Sequence, residues 1–382
     1  MSKEAIGRWK VRVDAPFPGC PEVLIGQVAA RSPEFAPSAA GGGAPVLIGC
    51  AAGEDMDSVI ARSRGELLER VSNVLSARIA EAQAEIVASF AQLGPRRALD
   101  PAGWPMGEVG LRTARMLWVL GRSLVTGEEV LVPASAAFLH HWPPAGCVSA
   151  FRTGSTGVAA HATEGGVVRH ALLEVAERDL AYRAWYADGP TCLASVPTPD
   201  ALLDRLGLCA GVLILPGPGV RCVVVCLHSA EGRAQSFGLR CTTGMAGEAV
   251  MPAIYEALMV RSRMDSAVVR AAWERVRGRR PCLPYDIAER AALAYHGAEG
   301  LAYWRARATE EAVPITPPKT MVDSDLARAV ANHTGQDVVV VETTIPQVGA
   351  EGIRVVRVIA PGARQLPGRE REGSRCPPHP IS

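Results

Sequence analysis

Two short segments of the sequence place the same charged residues at the same spacing. Glu-x-x-Glu-Arg occurs at residues 66–70 and again at residues 174–178, each time with apolar residues between the charges. Residues three and four apart lie on one face of a helix, so each segment predicts a narrow polar stripe on an otherwise apolar helix. The stripes comprise Arg62, Glu66, Glu69 and Arg70 in the first segment, and His170, Glu174, Glu177 and Arg178 in the second. Stripes this narrow are expected to face a cleft or each other.

Carboxylates that face one space repel each other unless a cation lies among them, and two arginines do not neutralise four carboxylates. Carboxylate oxygens suit Mg²⁺, which is usually shared with nucleotide phosphates, and an arginine binds phosphate with two parallel hydrogen bonds. The pattern therefore predicts a nucleotide–Mg²⁺ site built from two helices. Its predicted metal ligands are Glu66, Glu69, Glu174 and Glu177, and its predicted phosphate ligands are Arg70 and Arg178.

A structural role is the alternative for these stripes, either as surface ion pairs or as a buried ion-pair network between two helices. The repetition of the motif favours a site. The site would not be a phosphate-binding loop of the P-loop type, because no GxxxxGK[ST] sequence occurs. The lysines are confined to Lys3, Lys10 and Lys319.

The elements that position these stripes follow from periodicity and turn residues. The first helix is predicted to begin with Asp57 as its N-cap, and the second to run from about Thr163 to Trp185. Strands are predicted within 116–139, 211–229, 336–344 and 353–362, and further helices within 246–276 and 284–308. The elements lack a regular βαβ order, which predicts an α+β (mixed α/β) fold in one large domain.

The composition excludes several classes of protein. Hydrophobic residues make up 48% and charged residues 21% of the 382 residues, and the net charge is +1. This balance is typical of a globular protein with a substantial core, and it argues against binding to nucleic acid or to a membrane surface through bulk charge. The sequence has no predicted signal peptide or membrane-spanning helix, and none of its ten cysteines forms CxxC. We therefore expect a cytoplasmic protein with reduced thiols.

Several segments together resemble the YcaO family. They are GVAAHATEGGVVRHALLEVAERDL at 157–180, SRGELLERVS at 63–72, LWVLGRSLVTGEEVLVPA, AGEAVMPAIYEALMVR and ETTIPQVGAEGIRVVRVIAPGARQLP. The resemblance covers residues 45–382 and implies an ATP-dependent enzyme that activates peptide-bond amides. The best-known members are cyclodehydratases, which convert Cys, Ser or Thr of a ribosomal precursor peptide to thiazoline or oxazoline by phosphorylating the former amide oxygen.

The resemblance also assigns residues. It implies that ATP and Mg²⁺ are bound by both stripes, including His170, and that Arg261, at the end of the third helix, contacts the nucleotide. Residues 1–370 would form the catalytic domain, with a divergent part at 1–44. Where the family commonly has Ser, Asn, Glu and Gln in the second motif, this chain has Ala159, Ala162, Gly166 and His170.

The proline-rich segment 371–382 resembles the tails that reach the active site of azoline-forming members. Its predicted catalytic residues are Pro378, Pro380 and Ser382. A tail of this kind is otherwise typical of disorder. We therefore expect deletion of Pro378–Ser382 to slow catalysis without lowering stability.

The resemblance implies partners as well as a substrate. They are a precursor peptide, a separate leader-binding protein of the E1-like or recognition-element type, and a flavin dehydrogenase, with the chain in a homodimer or hetero-oligomer. Two other functions remain open: amide activation with another nucleophile, which forms a thioamide or amidine, and a degenerate subunit that binds peptide or partner without catalysis.

Overall fold

The computed structural model of the protein describes residues 8–36, 45–104, 110–151, 154–193, 196–279, 283–297, 299–309, 321–367 and 376–381. The predicted catalytic residue Ser382 lies outside the described residues, as do residues 1–7 and 37–44 of the divergent segment and residues 371–375 of the predicted tail.

Strands of two to nine residues make up the sheets. They are β1 (Arg8–Asp14), β2 (Leu24–Arg31), β3 (Val46–Gly53), β4 (Ile86–Ala88), β5 (Met116–Ser123), β6 (Glu129–Pro133), β7 (Val158–His161), β8 (Cys192–Leu193), β9 (Cys209–Gly217), β10 (Val220–His228), β11 (Ser236–Thr242), β12 (Val339–Glu342) and β13 (Arg354–Ile359).

Helices alternate irregularly with these strands. They are α1 (Met56–Gln83), α2 (Phe90–Leu93), α3 (Ala134–Ala137), α4 (Glu164–Tyr186), α5 (Asp200–Leu206), α6 (Ala246–Arg261), α7 (Ala267–Arg277), α8 (Ile287–Gly297), α9 (Gly300–Arg307), α10 (Asp323–Thr334) and α11 (Pro346–Gly349). The α+β prediction is confirmed by this mixture of helices and antiparallel sheets.

Three sheets organise the described residues. One has the order β1-β2-β3, the second β11-β10-β9-β8, and the third β4-β5-β12-β13-β7 with β6 paired to β5. Neighbouring strands in all three are antiparallel. Strands β3, β7 and β11 lie at the ends of these orders, so within the described strands each has one edge without a neighbouring strand.

Strand β10 shows why part of the sequence is continuously apolar. Cys222, Val224 and Cys226 pack into the core that contains α4, whereas Val223 and Val225 pack into the core that contains α6. A strand buried on both faces needs apolar residues at every position. The cysteines of this strand therefore pack as small hydrophobic residues.

The two helices of interest begin close to their predicted positions. Thr163 is the N-cap of α4, and its side chain accepts a hydrogen bond from the backbone N–H of Gly166 at 3.2 Å. For α1 the predicted cap was wrong by two residues. Asp55 is the N-cap because its carboxylate accepts from the N–H of Ser58 at 2.8 Å, and Asp57 lies in the first turn.

Two glycines allow helices to lie directly on strands. A Cβ atom at Gly49 of β3 would overlap with the backbone of α1 at Ser63 and Leu67, and one at Gly238 of β11 would overlap with the backbone of α6 at Ala253. Only glycine permits so close an approach. Side chains of α1 and α6 near these contacts can therefore reach the backbone of β3 and β11, respectively.

Within the described residues, no helix is long and apolar enough to cross a membrane.

Candidate functional site

The exposed edges of β3, β7 and β11 converge on one cavity of about 630 Å³. Helices α1, α4 and α6 complete its walls. Its charged and histidine lining residues are Arg62, Glu66, Glu69, Arg70, His161, His170, Glu174, Glu177, Arg178, Arg240 and Glu256. The structure thus brings both predicted stripes to the same space, as their narrow polar faces indicated.

On the first wall, the side chains of α1 bind the edge of β3. One oxygen of Glu66 accepts from the N–H of Cys50 at 2.5 Å, and the other forms an ion pair with Arg70. Arg70 also donates to the carbonyl of Ile48. These charged groups take the place that a further strand would occupy beside β3.

Glutamates of α1 and α4 bind other strand edges in the same way. Glu69 accepts from the N–H of Ala160 in β7, and Glu177 accepts from the N–H of Cys241 in β11, both at 3.0 Å. Glu174 accepts from the N–H of Gly157, just before β7, also at 3.0 Å. Each of these backbone bonds uses only one of the two carboxylate oxygens.

A third wall comes from α6, through a residue that sequence reasoning missed. Glu256 accepts from the N–H of Leu239 at 2.8 Å, and its other oxygen lies 4.0 Å from Arg178, which is also 3.8 Å from Glu177. Nothing in the sequence pairs Glu256 with a second charge at helical spacing on the cavity side. The sequence feature that could have indicated Glu256 is an acidic residue within an Ala-rich helix.

The cavity carries an excess of buried carboxyl groups. Burial raises the pKa of Glu69 well above its usual value, with Glu174 adding to the effect. Burial likewise raises the pKa of Glu174 to about 7 and, together with Glu177, that of Glu256 to about 7. Burial also acts against the charge of Arg178, but the surrounding carboxylates outweigh it and raise the pKa of this residue. A bound cation would relieve the excess.

Another part of the cavity wall consists of histidine and arginine side chains. Nη2 of Arg240 lies 3.3 Å from Nε2 of His170. Withdrawal from water and the charge of Arg240 lower the pKa of His170 to about 4, so the ring is neutral at pH 7. His161, at the end of β7, lines the same region. Neither Arg240 nor His161 was predicted as a site residue.

Behind the cavity, Arg357 of β13 is buried. Its Nη1 donates to the carbonyl of Gly154 at 2.8 Å, while Nε has no hydrogen-bond partner among the described residues. Burial lowers its pKa to about 10, and the charge of Glu174 acts in the opposite direction. The positive charge of Arg357 offsets part of the repulsion between Glu174 and Glu177.

The structure does not bring Arg261 to the cavity. Its guanidinium donates to the carbonyl of Ala234 at 2.6 Å and lies 5.4 Å from the centre of the Tyr295 ring. Arg261 is the last residue of α6 and faces α8 there, away from the cavity wall that Glu256 and Tyr255 form.

The described part of the tail is buried, and it does not line the cavity. Pro380 and Ile381 are buried, Ile381 within the core around α4, and Pro378 is half-buried. Nε1 of Trp185 donates to the carbonyl of Pro377 at 2.8 Å. The expectation that the tail contributes nothing to stability therefore needs correction, because these residues are core and hydrogen-bonding elements.

The glutamates do not form a ready-made metal cage. Within the described ranges, no three His, Cys, Asp or Glu side chains stand close enough together to hold a metal ion by themselves. Backbone bonds to separate strand edges and the intervening Arg178 hold the carboxylates apart. Mg²⁺ usually takes only one or two carboxylates and completes its shell with phosphate and water, so this donor set fits a metal that arrives with a nucleotide.

A cavity that combines anchored carboxylates with a buried arginine is the kind of site that binds a nucleotide together with Mg²⁺. The chain belongs to the YcaO family: residues 50–364 match the sequence model of this family, which is described as a YcaO cyclodehydratase that binds ATP and Mg²⁺. The family resemblance and both predicted cofactors are thereby confirmed.

Solved structures share the fold. YcaO from Methanopyrus kandleri, bound with AMPPCP and Mg²⁺, has a TM-score of 0.63 and 20% identity over 97% of this chain and 91% of that chain. A heterocyclase in complex with substrate and cofactor gives 0.67 and 18%, over 93% of this chain and 50% of that one. The E. coli microcin synthetase McbBCD complex gives 0.57 and 12%, over 89% and 84%.

A curated relative matches over a shorter stretch. An uncharacterized protein from Methanothermobacter thermautotrophicus is 38% identical over 82 residues, which are 21% of this chain and 21% of that protein. The match thus spans about a fifth of the relative's length.

Binding of ATP and Mg²⁺ at pH 7 is expected to release protons. Carboxyl groups with a pKa of about 7, as at Glu174 and Glu256, are about half protonated at this pH, and a nearby cation favours their charged form. Calorimetric titrations in two buffers of different ionisation enthalpy measure the number of protons released. A binding enthalpy independent of the buffer would contradict the expectation, and Glu174→Gln should reduce the buffer dependence.

Proposed function

We propose that this chain is an ATP-dependent peptide cyclodehydratase that converts Cys, Ser or Thr of a ribosomal precursor peptide to thiazoline or oxazoline. The observation that carries the proposal is the meeting of both Glu-x-x-Glu-Arg helices at one cavity, in a chain whose family is described as cyclodehydratase. The resemblance of the fold to a heterocyclase with bound substrate supports it.

The reaction closes a ring and removes one oxygen. The thiol or hydroxyl of the substrate loses its proton and attacks the preceding carbonyl carbon. The former amide oxygen then leaves, and the amide nitrogen loses its proton to form the C=N bond of the ring. When bound, ATP supplies the phosphoryl group with which that oxygen departs as phosphate, and Mg²⁺ neutralises the charge on the phosphates.

The residues of this chain contribute positioning and charge. Glu66, Glu69, Glu174 and Glu177 would hold the metal through the oxygens that their backbone bonds leave unused. Arg70 and Arg178 would bind phosphate oxygens, and Leu173, Leu239 and Met259 of the lining would exclude water from the reacting groups. Because the carboxylates are fixed by strand backbone, little reorganisation is needed when the nucleotide binds.

Partner proteins are part of the proposal. A separate leader-binding protein of the E1-like or recognition-element type would deliver the precursor peptide. The similarity to a protein of the multi-subunit microcin synthetase supports this assembly. The flavin dehydrogenase and the homodimer or hetero-oligomer stay predictions. A contribution of Pro378, Pro380 and Ser382 to catalysis also stays a prediction, and the buried tail would exert it through α4.

The test is a reconstitution of the purified chain with ATP, Mg²⁺, a leader-binding protein and a Cys- or Ser-containing precursor peptide. We expect the peptide to lose the mass of one water per ring, with one phosphate released for each. Exchange of oxygen for sulfur in the product would instead indicate thioamide formation. Phosphate release without any change in the peptide would contradict the proposal.

A non-catalytic subunit is the second candidate. The observation in its favour is that the first turn of α4 presents no carboxylate to the cavity, since Gly166 lies there and Glu164 is turned away toward the sheet. Such a subunit would bind nucleotide or peptide but would release no phosphate with any peptide and partner. The same reconstitution separates the two candidates.

A further inference from the structure

The imidazole of His161 occupies the space that a side chain at residue 166 would need. A Cβ atom built on Gly166 would overlap with Nδ1 and Cε1 of His161. The Nδ1–Cε1 side of the ring therefore lies against the first turn of α4, on the side that continues through His170 and Glu174 along the cavity. This arrangement requires glycine at 166.

Contacts with Thr163 fix which nitrogen of the ring carries the proton. Nδ1 of His161 lies 3.0 Å from the backbone N–H of Thr163 and 3.0 Å from its hydroxyl oxygen. A backbone N–H can only donate, so Nδ1 is the acceptor, and the proton of the neutral ring is on Nε2. His161, which lines the cavity, thus has its N–H donor at Nε2, and in this form Nε2 is not a metal ligand.

The carboxylate in the first turn of α4 lies outside the cavity that His161 lines. Glu164 is turned outward, with one oxygen 2.9 Å from Nη1 of Arg354 and the other 3.5 Å from Nη2 of Arg122. On the cavity side, the groups near His161 include the neutral ring of His170 and the guanidinium of Arg240. Hydrogen-bond donors and positive charge are arranged there to meet an anionic oxygen.

We infer that Nε2–H of His161 donates a hydrogen bond to a phosphate oxygen of the bound nucleotide, and that Gly166 positions the ring for this contact. At this end of the cavity, direct donation to phosphate by an imidazole takes the place of contact through a carboxylate and a metal. The inference rests on the nucleotide role proposed above.

A double-mutant cycle tests the inference through binding. The four proteins are the unmodified chain, His161→Ala, Gly166→Ala and the double variant, titrated by calorimetry with a methylene-bridged ATP analogue and Mg²⁺. Removing one hydrogen bond to a charged oxygen is expected to raise Kd about tenfold or more. Gly166→Ala should cost about as much because its methyl group displaces the ring, and the double variant should bind no worse than either single variant.

The cycle also controls for damage to the helix. The new methyl group would crowd the Thr163 hydroxyl as well, 2.7 Å away, but it would do so equally with and without the His161 ring. Gly165→Ala is the matched control, because a Cβ atom there meets only the flexible carboxylate of Asp323, at 3.1 Å. It should bind the analogue normally. Adenosine, which has no phosphate, should bind all variants equally.

Two outcomes would overturn the inference: normal analogue binding by Gly166→Ala, or losses that add in the double variant. Failure of the unmodified chain to bind the analogue would instead count against the proposed function. A histidine-selective ¹H–¹⁵N spectrum provides a second measurement. It should show the proton of His161 on Nε2 and a shift of that signal when the analogue binds, and a ring protonated on Nδ1 would refute the inference.

Discussion

Replacing Glu174 with glutamine is expected to reduce ATP turnover by a factor of about 10² to 10³ while leaving the fold intact, which is the usual scale for loss of one electrostatic contact to a transition state. Glutamine keeps an oxygen that can accept the hydrogen bond from the N–H of Gly157, so the backbone contact survives. The charge that would face the metal and phosphates is lost. Measurement of peptide-dependent phosphate release gives the effect.

The matched control is on the same helix. Glu164→Gln removes a carboxylate that lies outside the cavity and pairs with exposed arginines of the sheet, so turnover should stay near normal. Unfolding of Glu174→Gln, or full activity, would support the alternative that the glutamates form a structural ion-pair network.

Glu174 also gives a pH signature without any substrate. Its pKa is raised from 4.5 to about 7 in the folded protein, so the folded state retains a proton that the unfolded state has lost between these pH values. Its contribution to stability is therefore present at low pH and is lost as the pH rises from about 4.5 to about 7. Denaturant unfolding at pH 5 and pH 8 should show Glu174→Gln gaining stability relative to the unmodified chain at pH 8.

Deletion of residues 377–382 is expected to destabilise the protein by about 5 kcal/mol, because it removes a buried isoleucine and two carbonyl acceptors of buried donors. Ile381 is 4% exposed within the core that contains α4. Nε1 of Trp185 would lose the carbonyl of Pro377, and Nη1 of Arg290 would lose the carbonyl of His379, which lies 3.3 Å away. Denaturant unfolding of the shortened protein measures the change.

Two single substitutions distinguish the loss of packing at Ile381 from a general sensitivity of the protein to isoleucine-to-alanine changes. Ile381→Ala should cost about 2–4 kcal/mol, as for other buried large-to-small changes. Ile287→Ala makes the same chemical change at a side chain that is 69% exposed and should have little effect. A shortened protein as stable as the intact one would return the tail to the role of a disordered segment.

The two acidic stripes could be predicted because helical periodicity is a local property of the sequence. Four carboxylates and two arginines at repeated spacing indicated a common space before any tertiary contact was known. The start of α4 at Thr163 was predictable for the same reason, since its cap lies next to the residues it caps. At α1 two aspartates compete for the cap, and spacing alone did not separate Asp55 from Asp57.

Residues that reach the cavity through tertiary packing could not be found this way. Glu256 and Arg240 line the cavity because Gly238 lets α6 lie directly on β11, a contact between segments that no periodicity records. Arg261 illustrates the opposite error. Its position at the end of a helix near the site was correct, but the ring of Tyr295 and the carbonyl of Ala234 hold its side chain elsewhere.

The glutamates of the cavity also cover strand edges to which another chain could otherwise bind. An unpaired strand edge is a template on which another chain can add a strand, and proteins block such edges with charge. Here the N–H groups of Cys50, Ala160, Leu239 and Cys241 are covered by carboxylates of the proposed nucleotide site. Replacing these glutamates with alanine would expose the edges of three sheets to other chains. A related protein that had lost the activity would therefore still need acidic residues at these positions to avoid association.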